Sequence, residues 1–113
     1  MNWKTIRLEL AATEAFPKGS VGRGFLIRAP IDPSGNIDEQ SLRSTPERAK
    51  VRRIWPNEPD ESGQLVRVNG HWALRFRGKP DRLIAVDAQL QSGDEIVLTS
   101  EGQQSPFTVR IFD

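Results

Sequence analysis

Apolar and polar residues alternate along much of this 113-residue chain, in short runs cut by Gly, Pro, Asn and Asp. Residues 3–10 set the pattern, with Ile6, Leu8 and Leu10 on one side and Thr5, Arg7 and Glu9 on the other. A period of two over this length predicts a half-buried β-strand. A second strand is predicted over residues 25–31, with Phe25, Ile27 and Ala29 facing one way. Pro30 predicts that this strand ends near a sheet edge, because proline has no N–H for a ladder bond. Asp32-Pro33-Ser34-Gly35 reads as a turn, with proline presetting φ and glycine closing it.

The pattern changes over residues 36–49. Asp38 is placed to cap a short helix over residues 39–43. Thr45-Pro46 reads as a second helical start, with Thr at the cap and Pro in the first turn. Only Ile37, Leu42 and Ala49 are apolar here, so the segment is expected to be a surface excursion of one or two helical turns that buries little. A strand over residues 51–55 then stops at Pro56, and any hinge is expected at residues 57–63.

Asn69-Gly70 is the strongest hairpin signal in the chain, since both residues tolerate the positive φ of a type I′ turn. A two-residue loop dictates the pairing: Val68 opposite His71, Arg67 opposite Trp72, Val66 opposite Ala73, Leu65 opposite Leu74, Gln64 opposite Arg75. The core side then carries Leu65, Trp72, Leu74 and Phe76, with Arg67 over the Trp72 indole in a cation–π pair. The other face mixes His71, Arg75 and Arg77 with Val66 and Val68. Further strands are predicted over residues 83–86 and 96–99, and residues 100–105 reverse the chain. A last strand turns Phe107, Val109 and Ile111 inward.

Together these segments predict one all-β domain over residues 1–113. It is a small β-barrel, or barrel-like sandwich, of six to eight mainly antiparallel strands, with helical turns only at residues 36–49. Closure is preferred because it disposes of edge strands. The Gly93-Asp94 turn before an apolar strand resembles the Gly-Asp turn of cradle-loop and other small barrels. Such barrels host unrelated functions, so this likeness concerns the fold alone.

Composition narrows the chemistry. The absence of cysteine excludes disulfides and cysteine-ligated zinc or iron–sulfur centres, and no cofactor or metal site is expected. No apolar run follows the N-terminal charges, and none reaches the ~18–20 residues that span a bilayer. A soluble, cytoplasmic protein with no membrane partner is expected. Net charge is +1, but residues 43–82 hold ten basic against five acidic residues, whereas residues 83–113 hold one against five. Either two parts of one barrel attract each other, or an acidic patch meets a basic patch on another subunit.

Three groups of residues invite a functional reading. Lys18, Gly19, Gly22, Arg23 and Gly24 form the nearest approach to an anion-binding loop, since glycines let backbone amides approach an anion. The dinucleotide and P-loop orders are missing, however, and a connection needing positive φ explains the same glycines. His71 is the single histidine and the one side chain with an ordinary pKa near neutrality. Neither a Ser-His-acid spacing nor a Gly-x-Ser-x-Gly elbow accompanies it, so it reads as a strand residue without a catalytic task.

The third group is arginine with tryptophan. Twelve of the sixteen basic residues are arginine, whose planar fork suits phosphate and carboxylate. Arg52, Arg53, Trp55, Arg67, His71, Arg75 and Arg77 fall on strands that are expected to adjoin. The chain is therefore expected to be a non-catalytic binding or accessory module that contacts another protein, with a homodimer as one form of that contact. The alternatives are a barrel that holds single-stranded nucleic acid on an Arg/Trp surface, and a small hydrolase-like enzyme using His71 or carboxylates.

Overall fold

The alternation of residues 3–10 becomes β1 (Trp3–Leu10), whose apolar row Ile6, Leu8 and Leu10 is buried while the residues between them are half-exposed. The same in–out rule builds β2 (Gly24–Pro30), where Phe25, Ile27 and Ala29 are buried. The remaining strands are β3 (Lys50–Ile54), β4 (Glu61–Val68), β5 (His71–Arg75), β6 (Arg82–Ile84), β7 (Glu95–Ser100) and β8 (Gln103–Phe112). In this computed structural model, which describes residues 3–11 and 22–112, each strand pairs antiparallel with the next. β8 returns to β1, from Thr5 opposite Phe112 to Leu10 opposite Phe107, and closes the barrel.

The Asn69-Gly70 turn behaves as its chemistry dictates. Both residues have positive φ, and the five predicted pairs from Gln64–Arg75 to Val68–His71 are the observed register. Arg67 lies 4.9 Å from the centroid of the Trp72 ring. Leu65, Leu74 and Phe76 are core residues, and Trp72 packs half-buried at the margin of that core. Residues 100–105 reverse the chain as expected, through a two-residue turn with positive φ at Glu101 and Gly102 and Ser100 opposite Gln103. The last strand therefore begins earlier than the apolar pattern suggested, because its first residues are polar on both faces.

The structure bears out one expectation and changes two. Pro30 is the buried last residue of β2, opposite Trp3, at a locally unpaired strand end beyond the point where the ladder to β3 stops at Ile27–Val51. No third strand asks for its missing N–H, and its carbonyl accepts from the Asp38 N–H at 2.9 Å. The expected hinge is no hinge beyond residue 60, because Glu61, Ser62 and Gly63 pair with β3. The excursion at residues 36–49 also buries more than its composition suggested. Ile37, Leu42 and Ala49 all join the core cluster. The helix α1 (Glu39–Ser44) begins where the Asp38 carboxylate accepts from the Ser41 N–H at 3.0 Å. A 3-10 turn, Pro46–Arg48, follows; Thr45 does not cap it through its side chain but donates its hydroxyl to the Ser41 carbonyl.

The helix and the Asn69-Gly70 turn share one end of the barrel. At the other end β1 finishes, β2 begins, β3 finishes and β4 begins.

Candidate site at the arginine end

The inward rows of the barrel are apolar from the helix end as far as three phenylalanines. Phe25 lies 5.7 Å from Phe76 and 5.6 Å from Phe107, centroid to centroid. Beyond them the rows turn polar. Val51 gives way to Arg53 on β3, Leu65 to Glu61 on β4 across Gly63, Ile84 to Arg82 on β6, and Leu98 to Ser100 on β7. Since alternate residues share a face, each of these polar groups points into the same mouth as the apolar residue two or four positions away.

Trp55 organises this mouth. The guanidinium carbons of Arg23, Arg53 and Arg82 lie 4.8, 4.9 and 5.8 Å from its ring centroid, and Arg82 also lies 5.3 Å from the Phe25 ring. Opposing charge is thinner. Arg53 faces Glu61 at 3.4 Å and Glu58 at 3.6 Å, and Lys79 takes Glu61 at 2.6 Å. Among the described residues, Arg23 and Arg82 make no ion pair and no side-chain hydrogen bond. Burial, and then the neighbouring Arg53, push the Arg82 pKa below the ordinary arginine value, while Glu61 opposes them. Arginine remains a cation at neutral pH even so. Two further donors, Arg53 Nε and Trp55 Nε1, are shielded from solvent with no hydrogen-bond partner among the described residues. Leaving such a group unpaired costs about 1–3 kcal/mol.

The seven predicted binding residues do not form one surface. Arg53 and Trp55 enter the mouth. Arg52, adjacent in sequence to Arg53, points out into a groove of about 570 Å³ with Arg28 and Lys50, and pairs with Asp60 at 3.4 Å. Arg67 stays with Trp72 near the helix end. The outward Arg75 donates twice to Asp81, at 2.9 and 2.8 Å, and Arg77 is exposed. His71 Nδ1 donates to the Ile84 carbonyl at 3.1 Å and so ties the start of β5 to the end of β6. Of the proposed anion loop, Lys18 and Gly19 lie outside the described residues. Gly22 has a positive φ, Gly24 lies inside β2 against the Leu8 carbonyl, and Arg23 reaches Trp55.

Arg82 and Glu61 escaped the sequence reading. For Glu61 the signal was the same period of two, extended back from Leu65. Arg82 gave none, because Leu83 and Ile84 are both apolar and leave the parity of that strand open.

The Lys79 hydrogen bond holds the Glu61 carboxyl below the usual carboxylate range, and the Arg75 hydrogen bond does the same for Asp81. Such groups stabilise the fold above the unfolded-state carboxylate pKa and lose that contribution as pH falls through their lowered folded values. The urea midpoint is therefore expected to fall between about pH 5 and pH 2, more steeply than in the Glu61→Gln/Asp81→Asn variant. Equal slopes in the two proteins would refute this.

No helix among the described residues is long and apolar enough to cross a membrane. No protein-family model matches the chain, and no curated protein or solved structure matches it either.

Proposed function

We propose that the protein is a non-catalytic binding module that contacts another protein through the arginine end of its barrel. One observation carries this reading: among the described residues, Arg23 and Arg82 make no ion pair, and they lie beside Arg53 over an aromatic floor. The half-buried guanidiniums of Arg53 and Arg82 repel one another and raise the energy of the unliganded state, and the exposed Arg23 adds positive charge at the rim. A partner that brings negative charge offsets that cost. Arginine and tryptophan together are also the residue types that dominate the energetics of protein interfaces.

The same geometry favours a protein partner over single-stranded nucleic acid. Base stacking needs an open aromatic face. Each of the three tryptophans instead carries a guanidinium: Arg48 lies 4.4 Å from Trp3, Arg67 lies 4.9 Å from Trp72, and Trp55 has its own arginines. The exposed large apolar side chains, Val86 and Phe112, lie away from the arginine end.

A photo-crosslinking residue placed at Gln103, on the rim of this mouth, is expected to trap a partner in the native cells. The adduct should be sensitive to protease and resistant to nuclease. A probe at Val86, towards the helix end, should trap far less. Adducts formed equally at both positions, or removed by nuclease, would reject the proposal.

A further inference from the structure

Resting on that reading, we infer that the arginine end is a receptor for a short acidic segment of the partner, with carboxylates seated on Arg23 and Arg82. The mouth already shows what it holds. Glu61 of this chain sits there on Arg53 and Lys79, at 3.4 and 2.6 Å, so the site accepts a carboxylate on a guanidinium and an ammonium. Among the described residues at this end, Arg23, Arg53, Arg82 and Lys79 face Glu58 and Glu61, with Glu101 on the rim of the adjoining cavity, so positive charge is in excess and neither Arg23 nor Arg82 has a carboxylate seated on it. Two acidic side chains on one peptide can reach both guanidiniums, and arginine is the residue whose fork matches a carboxylate in two parallel hydrogen bonds.

The adjoining cavity argues for a peptide rather than a metabolite. It holds about 250 Å³ beside Arg82 and Lys79, with Leu98 in its wall, Ser100, Gln103 and Ser105 around it, and Glu101 at its rim. Small-molecule sites usually run to ~300–1,000 Å³ and enclose most of their ligand. A space of this size instead anchors one side chain of a larger partner, and the serines and glutamine offer hydrogen bonds to the backbone beside it. β6 has only two ladder pairs on each side, so Arg82 sits on the shortest seam of the barrel.

The test is calorimetric titration of the full chain with a synthetic peptide carrying two adjacent glutamates. Parallel titrations use its diglutamine counterpart, a peptide with one phosphoserine in place of the pair, and inorganic phosphate. The diglutamate peptide should bind, weaken as salt rises, and lose about tenfold in affinity in Arg82→Gln and again in Arg23→Gln. Arg52→Gln, in the outer groove, should leave it unchanged. Thermal midpoints of all variants show whether each is folded, and Arg23→Gln keeps the test alive should Arg82→Gln fail to fold.

Equal binding of the diglutamine peptide, tighter binding of phosphoserine or free phosphate, or indifference to both arginine substitutions would overturn the inference. So would salt-sensitive self-association in light scattering that Arg23→Gln abolishes, since the occupant would then be a second copy. Failure of the peptide alongside a protein adduct at Gln103 removes the acidic anchor only; failure of both removes the binding reading itself.

Discussion

Phe25→Ala is expected to destabilise the barrel by about 4 kcal/mol, the largest effect of any single truncation in the core. The ring is 1 % exposed and packs on Phe76 and Phe107 at 5.7 and 5.6 Å. Its removal loses the transfer free energy of a large side chain and leaves a cavity that two rigid rings cannot fill. A chain of this size has a total stability of ~5–15 kcal/mol, so a large part of it rests on this residue. The substitution also takes away the face on which Arg82 lies at 5.3 Å. The core and the mouth should therefore fail together, with peptide affinity falling even where the variant remains folded. Urea unfolding checks the first effect through a lower midpoint at unchanged slope. A loss below about 1.5 kcal/mol would mean that the phenylalanines do not support one another as described.

Gly24→Ala is expected to be nearly as damaging, at about 3 kcal/mol, for the opposite reason. Gly24 opens β2 opposite Glu9, and a methyl group there would overlap the backbone carbonyl of Leu8. A side chain could swing aside, but a carbonyl held within the β1–β2 ladder cannot without breaking that ladder. Gly102→Ala makes the comparison clean. It meets open space, and its cost comes only from the positive φ of +80°, about 1 kcal/mol. Thermal unfolding of the two variants should rank them in this order. The reverse order would show that conformation, rather than close approach, limits these positions.

How far the candidate site could be read in advance depends on the distance over which each signal acts. Arg52 and Arg53 look like one basic pair in the sequence. The pleat separates them, sending Arg53 to the mouth and Arg52 to the outer groove, and this much a period of two already implies. Arg23 stands out in the sequence for the glycines around it, yet its neighbour in space is Trp55, just past the end of β3, the strand that pairs with β2. Arg82 matters because β6 places it over Phe25, from a strand nearly sixty residues further along, and nothing in the short stretch around Arg82 encodes that meeting.

The sequence by itself determined what local physics decides. The Asn69-Gly70 turn set five cross-strand pairs, because a two-residue loop leaves no other register. Asp38 started α1 because its carboxylate caps the first turn. Alternation told which residues of β1 and β2 face the core, because successive side chains on a strand must point to opposite sides. Only the tertiary structure decided that β8 returns to β1. Only it decided that Ile37, Leu42 and Ala49 join the core, and that three arginines and a tryptophan from distant segments share one mouth. Closure joins strands about a hundred residues apart, and its register depends on the tilt and stagger of all eight strands together, which no single window of sequence contains.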